Sequence, residues 1–167
     1  MKGLLHRKVA ERSFMKKLIV FISMMFFIMG SAFAQKGIQA FGVHLGYGSE
    51  IESASIGVKY QYNITNNIRL EPSANYFFEK KGIDMFDFNA NAHYLIPTEN
   101  NIRLYPLAGL TFNRWDFGKV VNRLGLNMGA GAEFDISDNL FVNMELKYQI
   151  VKDFDQAVFN VGLTYMF

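Results

Sequence analysis

Nine side chains spread through the middle of the chain could do acid–base or ionic chemistry: Lys59, Arg69, Glu71, His93, Arg103, Tyr105, Glu133, Glu145 and Lys147. Hydrolysis by a nucleophile would need a serine beside a histidine that an acid orients. Beyond the N-terminal leader only His44 and His93 remain, in opposite halves of the molecule, and no serine has an evident histidine partner. Metal chemistry is no better supplied. The sequence has no cysteine, and two separated histidines with dispersed acids make no ligand cluster. No catalytic residue, no metal and no cofactor is therefore expected. What remains is ion pairing, and whether these groups can pair depends on the elements that carry them.

Those elements share one period. Apolar and small or polar residues alternate in segments separated by Asn, Asp, Gly, Pro and Thr, the pattern of strands and turns. Eight strands are predicted, at about 38–47, 54–64, 68–79, 85–96, 102–113, 122–135, 140–150 and 157–167. On the second, Ala54, Ile56, Val58, Tyr60, Tyr62 and Ile64 oppose Ser55, Gly57, Lys59, Gln61 and Asn63. The seventh sets Leu140, Val142, Met144, Leu146, Tyr148 and Ile150 against Phe141, Asn143, Glu145, Lys147 and Gln149. An internal echo accompanies the period: Asn66-Asn67-Ile68-Arg69-Leu70-Glu71-Pro72 returns as Asn100-Asn101-Ile102-Arg103-Leu104-Tyr105-Pro106, each copy opening a strand after a turn.

The front of the chain obeys different rules. From Met15 it reads MKKLIVFISMMFFIMGSAFAQ, with two lysines, an apolar run and Ala32-Phe33-Ala34, the three parts of a secretory signal peptide cleaved after Ala34. The domain plan is thus 1–34 as N-terminal extension plus signal peptide and 35–167 as one β-barrel domain. The leader holds six of the 17 Lys and Arg and one of the 15 acids, which leaves 11 basic and 14 acidic residues, a net charge of −3. Nucleic-acid binding loses its support from charge.

Alternation does not say which face points inward; side-chain volume does. The lumen of an eight-stranded barrel is only just wide enough to be filled by side chains. The apolar face carries Phe, Tyr, Leu, Ile and Met on nearly every strand, while the opposite face carries Gly57, Gly109, Gly125, Gly129, Gly131 and Gly162. Large residues suit the convex side, so the apolar face is outward. A soluble lipocalin-like barrel would need the reverse. In water such an exterior aggregates; in a bilayer a closed barrel satisfies its own backbone. Tyr47, Phe78, Phe86, Phe112, Trp115 and Phe159 are expected in an aromatic girdle at one rim, with Tyr62, Tyr94, Phe134, Tyr165 and Phe167 at the other.

The ionic groups then face the lumen. Taking each turn as a mirror puts Lys59 opposite Glu71, Glu71 opposite His93, His93 opposite Tyr105 and Arg103 near Glu133. Opposite charges across a strand pair stabilise a sheet, so a polar plug is expected and a conducting pore is disfavoured. With both ends of the barrel domain on the periplasmic side, the turns near 65–67, 97–101 and 136–139 would be periplasmic. The connections near 48–53, 80–84, 114–121 and 151–156 would face outward, with Lys80-Lys81 and Asp153–Asp155 as solvated charge.

The export signal, the eight alternating strands and the closing Val161-Gly162-Leu163-Thr164-Tyr165-Met166-Phe167 resemble the small outer-membrane barrels of the OmpA/OmpX type. The resemblance implies a closed eight-stranded antiparallel up-and-down transmembrane β-barrel, an all-β fold, in a Gram-negative outer membrane. It also implies that Phe159, Val161, Leu163, Tyr165 and Phe167 match the strand read by the barrel-assembly machinery. Expected partners are outer-membrane lipids and that machinery, for a monomer. Some barrels of this size modify lipid A, which is the enzymatic alternative; it lacks the necessary serine–histidine pairing.

Overall fold

The computed structural model of the protein describes residues 37–98 and 102–167. The leader with its cleavage site after Ala34, and the Asn100-Asn101 pair of the second echo, lie outside the described residues. The strands among the described residues are β1 (Gln39–Gly48), β2 (Ser53–Asn63), β3 (Ile68–Lys80), β4 (Ile83–Tyr94), β5 (Ile96–Pro97), β6 (Ile102–Asp116), β7 (Val120–Ser137), β8 (Leu140–Val151) and β9 (Gln156–Met166). Every pairing is antiparallel between neighbours in the chain, and β1 closes on β9 with Val43 opposite Leu163. The result is a closed up-and-down barrel of eight staves, as the alternation predicted.

Nine strands make eight staves because β5 continues β4. His93 pairs with Leu107 and Ile96 with Leu104, which is one unbroken register on β6. The gap lies opposite Tyr105 and Pro106. The ladder between β2 and β3 has a similar gap, with Lys59 opposite Ser73 and Tyr62 opposite Leu70 but no pairing between them, where Pro72 stands. Proline has no N–H to give to a ladder. Each proline of the echoed motif, Pro72 and Pro106, thus stands at a gap in the wall's pairing.

Along each strand one parity is exposed and the other is buried. The exposed set is the apolar one and includes Val43, Leu45, Ile56, Leu110, Leu126, Met128 and Leu146. All the girdle aromatics except Trp115 belong to it. Trp115 is the correction: it is buried in the lumen. Its strand runs to Asp116 rather than ending at 113, and parity puts Trp115 on the face of Thr111 and Asn113.

Connections at one end are residues 49–52, 81–82, 117–119 and 152–155, hereafter the loop end; the other is the turn end. Lys81 and Gly82 have φ of 56° and 78° between the paired Lys80 and Ile83, the left-handed two-residue turn that matches strand twist. The loop charges are braced rather than merely solvated. Lys80 Nζ donates to the Glu52 carbonyl at 2.7 Å and meets its carboxylate at 3.2 Å, Arg123 lies 3.4 Å from Asp153, and Asp155 accepts from the Val151 N–H at 2.7 Å.

The candidate functional site in the lumen

Inward parity from eight staves fills the lumen in three layers. The layer toward the turn end is ionic. Glu133, fully buried on β7, accepts from Arg69 Nη1 and lies 3.3 Å from Arg103 Nε and 3.3 Å from Gln61 Nε2. Strands β2 and β3 do not adjoin β7, so Gln61 and Arg69 reach Glu133 across the lumen. The echoed arginines, Arg69 and Arg103, therefore clamp one carboxylate from two sides. Arg69 Nε also donates to Asn63 Oδ1 at 2.8 Å, while Arg103 Nη2 donates to Asp135 at 2.6 Å and its guanidinium lies 4.7 Å from the centre of the Phe141 ring.

A second carboxylate group stands beside it. Lys59 Nζ is 3.4 Å from Glu71, Gln61 Nε2 donates to Glu71 at 2.8 Å, and Lys147 Nζ is 3.8 Å from Glu145. The Tyr105 hydroxyl donates to Glu145 at 3.3 Å, and its ring stacks on His93 at 4.5 Å between centroids. Tyr105 reaches Glu145 by lying across Gly131, its neighbour on β7, which in turn pairs with Glu145. A Cβ on Gly131 would sit 2.3 Å from the Tyr105 ring.

The middle layer is built of amides. Asp87 accepts from Asn75 at 2.5 Å, Asn89 at 2.9 Å and Gln149 at 3.0 Å. Asn127 donates over Gly109 of β6 to Asn89 at 2.9 Å and Asn91 at 2.8 Å, and Gln156 donates to Gln149 at 2.7 Å. His44 hydrogen-bonds to Asn75 by passing over Gly57, where a Cβ would meet the imidazole at 2.4 Å. The same arrangement, a large side chain laid over a cross-strand glycine onto a polar group, holds Tyr105 and His44.

The loop-end layer is apolar. Phe77 pairs with Met85, Met85 with Trp115 and Trp115 with Val121, one row across four staves. Ile51 and Val158 join them in a buried cluster, with Phe154 stacked on Trp115 at 4.7 Å.

The structure brings together all nine ionic residues singled out in the sequence, with three of the four expected cross-strand pairs displaced along the strand. Lys59 stands opposite Ser73, Arg69 rather than Glu71 opposite His93, and Leu107 rather than Tyr105 opposite His93. Each of these three pairs is displaced by two residues, so Lys59–Glu71, His93–Glu71 and His93–Tyr105 meet diagonally. Arg103 does stand directly opposite Glu133. Sequence reasoning missed the amide layer and the apolar cap; parity from Lys59 and Asp87 was the available signal.

The expectation of no ligand cluster also changes. Glu71, His93 and Glu145 each bring a ligand atom within 4.8 Å of the others, and neither ring nitrogen of His93 has a hydrogen-bond partner. These carboxylates already face the Lys59 and Lys147 ammonium groups, so a divalent cation would be added beside two positive charges. The arrangement suits an ion-pair plug better than a metal centre.

The model of the family described as outer membrane protein beta-barrel domain matches residues 20–167. The chain belongs to this family. Similar folds occur in the N-terminal β-barrel domain of Pseudomonas aeruginosa OprF (TM-score 0.65, 17% identity, covering 79% of this chain and 100% of that one). Neisserial surface protein A gives a TM-score of 0.65 at 17% identity, covering 81% of this chain and all of that one. Ail, the attachment invasion locus protein of Yersinia pestis, gives 0.59 at 19% identity, with 80% and 100% covered. No curated protein sequence matches the chain. At these identities the likeness is one of fold, that of small barrels of the OmpA/OmpX type, and it is the family match that points to the bacterial outer membrane.

Proposed function

We propose that the protein is a closed, non-catalytic structural barrel of the Gram-negative outer membrane, its lumen sealed by its own side chains. The observation that carries this reading is the cross-lumen clamp on Glu133, which ties β2 and β3 to β7 through the barrel interior. Side chains that bond across the lumen occupy the space that a solute or substrate would need. The Trp115 cluster adds an apolar barrier at the loop end. Planar-bilayer recording tests the proposal: the expected result is no steady conductance at neutral pH, and a large, stable conductance overturns it.

The membrane-facing half of the reading concerns partners. We propose a monomer surrounded by outer-membrane lipids, exported through the leader and inserted by the barrel-assembly machinery with its turn end toward the periplasm. In support, Phe159, Val161, Leu163, Tyr165 and Phe167 are all exposed on one face of the seam strand, available to a receptor before closure. Deleting Phe167 should lower the yield of membrane-inserted protein in cells, and unchanged insertion removes this part of the proposal.

A further inference from the structure

Four arginines lie among the described residues, and three have carboxylate partners: Arg69 and Arg103 on Glu133, and Arg123 on Asp153. Arg114 has none, although it is exposed on the lipid-facing parity of β6. Its cross-strand neighbours are Phe86 on β4 and Asn122 on β7, and Phe112 lies one pleat toward the membrane centre. A guanidinium with no carboxylate partner, set at the loop-end rim of the apolar exterior, lies at the depth of lipid headgroups and is free to meet an anion there.

The hairpin that carries Arg114 projects beyond its neighbour. Strand β8 ends at Val151, opposite Gly125, so the residues of β7 before Gly125 have no ladder partner on that side. Leu124 on this flank is 75% exposed, more than any other large apolar side chain among the described residues. Beyond Arg114, toward the loop end, the carboxylates of Asp84 and Asp116 stand directly opposite each other. They lie on the water side of Arg114, with the Asp116 carboxylate accepting from the Gly118 N–H at 2.8 Å, while the side toward the membrane offers Phe86, Phe112 and Leu124. An anion that reaches Arg114 from below the carboxylates must carry apolar chains with it.

We propose that Arg114 seats the phosphate of a lipid headgroup in the leaflet at the loop end, with Phe112 and Leu124 against its acyl chains. This rests on the membrane reading above. The probes are lipid A with two phosphates and the same lipid stripped of them, each added to the purified protein in neutral detergent and scored by native mass spectrometry. The wild type should retain the phosphorylated lipid about fivefold better, the factor one cation contributes beside an anionic leaflet. Arg114→Gln should bring the two lipids within twofold, with an unchanged β-type circular dichroism spectrum. Arg114→Lys should keep part of the preference, and Asp84→Asn with Asp116→Asn should keep or raise it.

Equal retention by the wild type, or full preference in Arg114→Gln, overturns the proposal. So does loss of preference in the Asp84→Asn, Asp116→Asn protein, because it makes the carboxylates part of the seat. Orientation is read separately: with no native cysteine in the chain, Lys81→Cys should react with an impermeant maleimide on intact cells. A failure there counts against the membrane orientation and leaves the lipid preference standing.

Discussion

At the loop end of the lumen Trp115 packs by apolar contact against Met85, Val158 and Phe154, whereas at the turn end Glu133 is held by hydrogen bonds from Arg69 and Gln61 that cross the barrel. The first arrangement is forgiving. Apolar contact needs volume, not direction, and a row such as Phe77, Met85, Trp115 and Val121 can repack. The second is directional, because a buried carboxylate that loses a partner leaves an uncompensated charge behind. One barrel thus closes its two ends with materials that differ in how they fail. The apolar end should yield gradually to substitution, and the ionic end should yield all at once.

The largest effect expected from that contrast is Glu133→Ala. It leaves Arg69 buried without its carboxylate, and breaking a buried ion pair costs ~3–5 kcal/mol. Urea titration in micelles, followed by the fluorescence of the single tryptophan, measures it. The double variant Arg69→Met, Glu133→Leu should recover most of the loss, since no lone charge remains. If the double variant is as unstable as Glu133→Ala, the clamp contributes more than charge balance and the comparison is drawn too simply.

Trp115→Ala comes next, at about 3 kcal/mol for a large-to-small change in a packed cluster that lies near the surface. Circular dichroism must replace fluorescence as the probe. In the bilayer Trp115→Ala should leave the protein non-conducting, because the ionic layer below still spans the lumen. A steady conductance from this variant alone would place the seal at the cap instead.

Gly131→Ala tests the ionic end without touching a charge. The added Cβ would fall 2.3 Å from the Tyr105 ring, so the ring must leave its path to Glu145. Overpacking of this kind costs ~2 kcal/mol. Combining it with Tyr105→Leu should give a loss smaller than the sum of the two single variants, as expected when two changes act on one contact. Additive losses, measured by the same urea titrations, would show that the glycine serves the wall rather than the tyrosine.

The legible part of the molecule is the part that sequence encodes locally. The period of two is local, so the eight staves and the inward parity of Lys59, Glu71, Glu133 and Lys147 could be read from the residues alone. Register is not local. It is set at the turn near Thr65, whose hydroxyl accepts from the Ile68 N–H at 2.9 Å, and by the bulge between Phe77 and Lys80. Neither leaves a trace in the alternation, which is why Lys59–Glu71 and Glu71–His93, the predicted pairs that span them, moved by two residues while Arg103 and Glu133 did not. Trp115 was misplaced for a related reason: a strand end set too early hides the parity of the residues beyond it.

The smallest effect belongs to the loop end, outside both lumen layers. Glu52 is exposed, and the hydrogen bond and charge of Lys80 hold its carboxyl below the usual range. A group with a depressed folded pKa contributes stability that is present above its unfolded value and lost as pH falls through the folded one. The brace should therefore be intact at neutral pH and weaken below an ordinary glutamate pKa of about 4.3. Because the pair is exposed, its contribution is small and screened by salt. Glu52→Gln should shift the urea midpoint slightly at pH 7 and less at pH 3, and the pH 7 shift should shrink in 1 M salt. Trp115→Ala should lose the same stability at either pH, since no charge is involved, which separates the apolar cap from the ion-paired loop that lies above it.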